Sequence, residues 1–465
     1  MIILIILLGF FLRILNLRQS FWLDEAAQMI ESIRPLSDQL HIRADFQPPL
    51  YHILLHFWIQ YSNSEIWARM LSVLFGVMSI LVSYKLLQLI IPKKAALLSA
   101  FLFALNPFHI WYSQEVRPYA LATLLGIMST YMLIKKNFGG YIVSAAAFLY
   151  TTYLAPFLFI THGLYCLIYL KDWTRKWVIG IFLIGITFVP WIPSFLEQLS
   201  IGSGLRISLP GWSEVVSAPL LKSLPLVIAK FLIGRITIDN KFLYGAVLLV
   251  FSVFFILALI KLYAKNNKLL LNKLFLLFCF PIVTAYLVSF VLPVLAPQRI
   301  LFTLPYFCAL IAMSVIFLKK SNYLLFSFVI LIQVYSIFLY NTNTRFQREQ
   351  WRQAVKFVEA DRTSESLAVF AFPDAFAPWL WYSADLVKYI AVAPHFVVNQ
   401  ADITQLKSQL VQSNRIYYFH YLTDLTDPAH LIPLNLKKFG YSETRIVDFP
   451  GVGFISIYER ALAYH

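Results

Sequence analysis

Eleven mostly apolar stretches, each close to bilayer-spanning length, recur through the first 340 positions of the chain. They fall at 1–17, 66–91, 95–112, 118–134, 141–154, 155–170, 177–195, 241–261, 274–295, 300–318 and 322–340. A helix needs about 20 apolar residues to cross the hydrocarbon layer. In lipid each backbone N–H and C=O must be satisfied locally, so runs of this kind are predicted to be helices. The fold class that follows is a polytopic α-helical membrane protein. Only 13% of the residues are charged and 60% are hydrophobic, against roughly 25% charged in soluble domains. That excludes an ordinary soluble protein.

Two places are less regular. Thr151–Pro156 separates the fifth and sixth stretches only weakly, and 223–238 is interrupted by Pro225, Lys230 and Arg235. The latter is expected to lie in the membrane interface, with a re-entrant piece as the alternative. The N-terminal run has no basic leader and no small-x-small cleavage pattern before Trp22, so it reads as a retained first helix. Cys166, Cys279 and Cys308 sit in apolar runs without metal-ligand spacing and read as packing residues.

Basic residues gather in alternate connections: Lys93 and Lys94; Lys135 and Lys136; Lys171, Arg175 and Lys176; Lys261, Lys265, Lys268 and Lys273; Lys319 and Lys320. With eleven spans all five clusters face one side, which is expected to be the cytoplasm. Arg13 and Arg18 favour the opposite orientation for the first helix. The formal net charge of +15 is thereby explained by topology, and no nucleic-acid partner is expected. Loops 18–64 and 196–240 then face outward, the second with turns at Gly202-Ser203-Gly204 and Pro210-Gly211.

Beyond 341 the composition changes. The transmembrane domain is placed at 1–340 and a soluble α/β domain at 341–465, also outside the cytoplasm. An amphipathic helix is predicted over 346–361. Strands follow at 366–372, 388–393, 415–421, 444–448 and 453–459, alternating with helices at 374–383, 402–412 and 429–438. Pro450-Gly451-Val452-Gly453 is suited to the turn joining the last two strands. No phosphate-cradling glycine motif is present in this domain.

Chemistry is concentrated near the predicted outward ends of the spans. Trp22-Leu23-Asp24-Glu25-Ala26 follows the first stretch, and Gln114-Glu115-Val116-Arg117-Pro118-Tyr119 lies between two closely spaced ones. Charge at that depth is costly and usually functional. The plain alternatives are that Asp24 caps a helix beginning near Ala26, and that Glu115 and Arg117 form a helix-end salt bridge. Adjacent helical residues project about 100° apart, so Asp24 and Glu25 are expected to face different partners, one of them an arginine. Gln47-Pro48-Pro49-Leu50-Tyr51 stiffens the approach to the next helix. His52 and His56, four apart, have metal-compatible spacing, yet paired interfacial histidines are the plainer reading. Arg69 and Arg299 either pair with a carboxylate or bind a phosphate.

Together these segments resemble the GT-C membrane glycosyltransferases, specifically glycosyltransferase family 39, the protein O-mannosyltransferase-like group. The likeness is strong over 18–125 and includes Glu65-Ile66-Trp67-Ala68-Arg69. It is weaker at Pro297-Gln298-Arg299 and at Glu349-Gln350-Trp351-Arg352-Gln353-Ala354-Val355. Members commonly have histidine where this chain has Gln47. The resemblance implies an integral membrane enzyme of a bacterial inner or plasma membrane, acting on the non-cytoplasmic face. It would transfer a sugar from a polyprenyl-phosphate carrier to a hydroxyl on a glycan, lipid or protein, with membrane lipids as its surroundings. In this reading Asp24 is the general base, assisted by Glu25 and Glu115, and a single displacement inverts the anomeric centre. Gln47, Tyr51, Arg69, Gln114, Arg117, Tyr119 and Arg299 contact substrate, Arg117 or Arg299 offsetting charge on the leaving phosphate. The acids of the first two outward loops are expected to converge on one pocket. No metal-ligand set is assigned, and a divalent metal stays open. The alternative is a polytopic transporter or flippase of lipid-linked or amphiphilic substrates, expected to show broken helices and an internal repeat; neither is visible in the sequence.

Overall fold

The computed structural model describes residues 1–42, 45–208, 220–265, 267–318, 323–371, 376–393 and 395–460. The chain divides into two units. One contains Met1–Leu17, Ser32–Gly202 and Glu214–Thr342; the other contains Arg18–Glu31, Ser203–Ser213 and Asn343–His465. The segment carrying Asp24 and Glu25 therefore belongs with the C-terminal sheet, a membership that the linear order of the chain conceals.

The first unit is a helical bundle. Among the described residues six helices are long and apolar enough to span: Glu65–Leu87, Lys171–Gly204, Lys241–Ala264, Lys268–Val288, Pro297–Leu318 and Tyr323–Thr342. The predicted run at 95–112 breaks into Lys93–Leu105 and Pro107–Ser113, bent by 60°. Asn106 explains the break: its side chain accepts from the Phe108 and His109 N–H groups and so caps a new helix, and Pro107 offers no N–H to continue the old one. A broken span is thus present where the sequence suggested none. Four further apolar helices, Ile2–Ile14, Tyr119–Ile134, Phe138–Leu149 and Ala155–Tyr169, are shorter. Twelve helical residues reach only about 18 Å, against a layer of about 30 Å. All eleven predicted stretches coincide with helices, but six, or seven counting the bent pair, meet the spanning length.

Two expectations change here. The outward loop beginning at 196 is helical through Ser208. Its glycines each cost about 1 kcal/mol in a helix interior. Pro210-Gly211 lies outside the described residues, as do Lys319 and Lys320. The 223–238 segment, expected in the interface, instead forms the helix Leu220–Ile233 with Val227, Phe231, Leu232 and Ile233 buried. It packs against Pro107–Ser113, Lys268–Val288 and Tyr323–Thr342.

Arg13 resolves part of the orientation conflict. Its guanidinium is fully buried, donating to the carbonyls of Gly9 (2.8 Å) and Ala104 (3.0 Å) and to Ser113 Oγ (3.2 Å), with His109 Nδ1 at 2.7 Å. It holds the first helix to the broken pair and is no part of a loop's charge. Cys166 and Cys308 are buried and Cys279 is partly so; all three are free thiols.

The second unit is built on a five-stranded sheet in the order β2-β1-β3-β5-β4, with β1 Ser366–Phe370, β2 Lys388–Ala391, β3 Arg415–Phe419, β4 Tyr441–Phe449 and β5 Gly453–Arg460. β1 is parallel to β2 and β3, whereas β5 runs antiparallel to β3 and β4. Every predicted strand appears within a few residues; Phe372 and the start of the 374–383 helix lie outside the described residues. Helices Trp351–Asp361 and Ala377–Tyr382 cover one face, and Gln400–Gln409 and Leu431–Lys438 the other. Trp351, Phe376, Trp379 and Phe419 form the first core, against which Leu23 packs. The β4–β5 hairpin turns at Gly451, whose φ of +81° favours glycine.

Candidate active site

The amphipathic helix that opens the second unit starts at Trp351, and the turn before it carries Arg348 and Glu349. Facing this turn is the helix Leu23–Ile33, with Asp24 and Glu25 in its first turn, where the helix dipole favours negative charge. Asp24 is therefore the second residue of the helix and does not cap it, because the helix starts at Leu23 and not near Ala26. Glu25 is fully buried and lies 3.6 Å from Arg348 Nη1. Asp24 is half-buried. Glu349 accepts a 2.7 Å bond from Trp351 Nε1 and bonds of 3.1 and 3.2 Å from the Tyr421 hydroxyl. Burial pushes the Glu349 carboxyl up to about 7; the hydrogen bonds from Trp351 and Tyr421 oppose this, and the Asp24 charge adds to it. Burial, then Glu349 itself, hold the Tyr421 hydroxyl well above its ordinary value.

In the first unit the short helix Pro107–Ser113 runs into the Gln114–Pro118 turn, and Pro118 precedes the helix Tyr119–Ile134. Glu115 is 1% exposed and accepts from Trp111 Nε1 at 3.0 Å. Arg117 donates to both carboxylate oxygens of Asp45, at 2.8 and 3.1 Å, a fork that fixes the guanidinium plane. His52 Nε2 lies 3.2 Å from the same carboxylate. Burial alone would raise the Asp45 carboxyl, but the Arg117 charge and the His52 contact outweigh it and hold the group well below the usual carboxylate range. His56 turns elsewhere, its Nδ1 2.8 Å from the Ser32 carbonyl. The two histidines therefore meet different groups, Asp45 and the Ser32 carbonyl. The loop carrying Asp45 is held by Gln198, which donates to the Ile42 carbonyl at 2.7 Å, and Ser194, which donates to that of Leu40 at 3.2 Å.

Other sequence-predicted contacts have structural employment. Gln114 Nε2 donates to the Arg13 carbonyl at 3.1 Å and to that of Leu15, satisfying the open end of the first helix. Arg69, 1% exposed, donates to the Leu17 carbonyl at 2.8 Å. Tyr51 is fully buried against Ser72 Oγ at 2.8 Å. Tyr119 packs edge-on to Tyr112, 4.9 Å between ring centres. The Gln47 side-chain oxygen is buried without a hydrogen-bond partner among the described residues. Arg299 is half-buried, bonded at 3.3 Å to the carbonyls of Pro293 and Val294, and no carboxylate among the described residues lies within ion-pair distance.

Sequence reasoning passed over Asp45, Arg235, Arg348 and Glu349. Arg235 follows Gly234, whose φ of +82° ends the Leu220–Ile233 helix and whose backbone sits against Pro107. That places the Arg235 guanidinium 4.9 Å from the Trp111 ring centre and 3.2 Å from the Tyr112 hydroxyl. Asp45 lies two residues before Gln47, and Glu349 lies in a segment already singled out for its likeness. Proximity to those motifs was the available signal.

No family model matches the chain. The structure superposes on ArnT from Cupriavidus metallidurans bound to undecaprenyl phosphate, with a TM-score of 0.62 and 12% identity, covering 99% of this chain and 98% of that one. It also superposes on the oligosaccharyltransferase of Archaeoglobus fulgidus in complex with zinc and sulfate, with a TM-score of 0.54 and 11% identity over 98% of this chain and 72% of that one. The fold is that of these two solved structures. In sequence, a dolichyl-phosphooligosaccharide-protein glycotransferase of Archaeoglobus fulgidus is 33% identical over 96 residues, covering 19% of this chain and 16% of that protein. Among the described residues no group of three or more His, Cys, Asp or Glu side chains is placed to hold a metal ion.

Proposed function

We propose that the chain is a membrane glycosyltransferase that moves a sugar from a polyprenyl-phosphate carrier to an acceptor hydroxyl on the non-cytoplasmic face. The observation that carries this reading is the end-to-end likeness to a GT-C protein bound to undecaprenyl phosphate. A second similar structure, the archaeal oligosaccharyltransferase AglB in complex with an inhibitory peptide and a dolichol-phosphate, has a TM-score of 0.52. The resemblance to family 39 over 18–125 supports the same chemistry.

Asp24 acts as general base. It takes the acceptor's hydroxyl proton as that oxygen attacks the anomeric carbon. The bond from that carbon to the phosphate oxygen breaks, and the carrier phosphate leaves with the electron pair. One displacement inverts the anomeric centre. Arg117, held flat by Asp45, offsets charge on the phosphate, with Arg299 and Arg235 as further cations. Glu115 orients the sugar or the acceptor from its Trp111 hydrogen bond. The unpartnered Gln47 oxygen is suited to a substrate hydroxyl. Glu25, neutralised by Arg348, supports Asp24 without taking the proton.

The broken span at Asn106 is the one feature that favours a transporter or flippase. Purified protein in lipid nanodiscs, given a panel of polyprenyl-phosphate sugars and hydroxyl acceptors, separates the two by mass spectrometry of the products. Free carrier phosphate appearing with a glycosylated acceptor supports the transferase. Intact donors throughout, with movement of labelled carrier across vesicles, would replace it with the transporter.

A further inference from the structure

The chain entering the Leu23–Ile33 helix is held residue by residue by the turn that opens the sheet unit. Arg352 Nη2 donates to the Arg18 carbonyl at 2.8 Å, and the Arg348 N–H donates to Gln19 Oε1 at 2.8 Å. Ser20 Oγ donates to the Glu349 carbonyl at 2.5 Å, and the Phe21 N–H donates to the Tyr382 hydroxyl at 2.6 Å. Leu23 itself packs against the core built on Trp351 and Phe419. Two residues on, Glu25 meets Arg348. The chain up to Leu23 is thus tied to this turn, and Asp24 is the next residue.

Glu349 is itself fixed from behind. Its two carboxylate oxygens are gripped by Trp351 and Tyr421. The Gln350 N–H donates to the Pro450 carbonyl at 3.0 Å, and a Cβ on Gly451 would stand 2.8 Å from the Glu349 Cα. The hairpin turn therefore presses directly on the backbone that presents this carboxyl. A half-buried acid with two donors, beside a second acid, is more than a surface solubilising charge.

We infer that Glu349 is the positioning residue for Asp24: clamped by Trp351, Tyr421 and the Gly451 turn, it holds Ser20 on its carbonyl and so sets where the chain delivers the Asp24 carboxylate. This rests on Asp24 being the base of the proposed reaction. A second consequence is electrostatic. Among the described residues, Asp24 on the helix and Tyr421 beyond β3 are the titratable groups that act on Glu349, while Arg348 on its own segment pairs with Glu25. With Glu349 neutral, Asp24 and the Arg348-paired Glu25 are the acids of this group. When Glu349 ionises near pH 7, an added negative charge beside Asp24 repels an anionic lipid phosphate.

The test uses the full chain in nanodiscs with a polyprenyl-phosphate sugar, comparing wild type, Glu349→Ala and Glu349→Gln. Amide hydrogen exchange of the peptide over 19–26 is expected to speed up about tenfold in Glu349→Ala, the loss of one net hydrogen bond, and to stay near wild type in Glu349→Gln. Turnover is expected to fall about tenfold in Glu349→Ala by the same reckoning, with recovery in Glu349→Gln. The wild-type donor KM should rise above pH 7 while that of Glu349→Gln stays flat. Wild-type exchange and wild-type turnover in Glu349→Ala would overturn the inference. Should Glu349→Ala not fold, Trp351→Phe and Tyr421→Phe each remove one clamp donor; unchanged exchange over 19–26 in both would overturn it equally. If the wild-type protein transfers no sugar from any donor, the functional reading fails, while the exchange measurement still decides whether Glu349 holds this segment.

Discussion

Two half-buried carboxyls, one in each unit, show how the same functional group is driven in opposite directions. Asp45 in the helical unit faces Arg117 across a two-pronged contact and has His52 at its side; its charge is held far into the acid range. Glu349 in the sheet unit has neutral donors, Trp351 and Tyr421, and a like-charged neighbour, Asp24; its carboxyl is pushed up to about 7. Burial raises both. The partner's charge decides the outcome, since neutral donors recover only part of what desolvation takes away. Asp45 is thereby a fixed charge suited to holding an arginine for an anion, and Glu349 is a group that exchanges its proton near neutrality.

The largest effect that could break this contrast comes from Asp45→Ala. It leaves the Arg117 guanidinium buried without its carboxylate, and removing one partner of a buried pair costs about 3–5 kcal/mol. Unfolding of the variant in detergent should show that loss. A change below about 1 kcal/mol would class the pair with exposed surface pairs and remove the reason for the low Asp45 value.

A smaller effect, of opposite sign in the two units, is expected from pH. Because Asp45 is depressed in the folded protein, the stability it contributes is present above the ordinary carboxylate value of 3.8 and is lost as pH falls below it. Glu349 is raised, so the folded state retains its proton while the unfolded chain gives it up; stability declines as pH climbs from about 4.5 to about 7 and then levels off. Thermal midpoints across pH should lose their acid limb in Asp45→Asn and their decline between these values in Glu349→Gln. Identical curves for all three proteins would erase the contrast.

Much of the fold was readable because its signals are local. Apolar length alone located the helices of the eleven predicted stretches, though not Leu50–Trp58 or Leu220–Ile233, and alternation with turn residues located each strand to within a few positions. What local pattern could not show was the break at Asn106, where an asparagine cap and a proline act inside an otherwise continuous apolar run. Nor could it show that glycines at 202 and 204 would be carried by a helix. The site was legible as motifs but not as partners. Asp24, Glu25, Glu115 and Arg117 were found because charge near a span end is unusual. Their partners Arg348, Asp45 and Trp111 lie far away in sequence or in unremarkable surroundings. The membership of 18–31 in the same unit as 343–465 is a long-range fact, and no periodicity encodes it. Gln114, Arg69 and Tyr51 carried the same polar signal, yet they are engaged in main-chain and helix-to-helix contacts.

The account rests on Asp24 taking a proton from the acceptor. Steady-state transfer from a polyprenyl-phosphate sugar by Asp24→Asn, in protein that inserts and unfolds like wild type, tests it most directly. Turnover is expected to fall by about 10²–10⁴, the usual share of a general base, with donor binding retained. Transfer within about twofold of wild type, far short of that share, would contradict a base at this position.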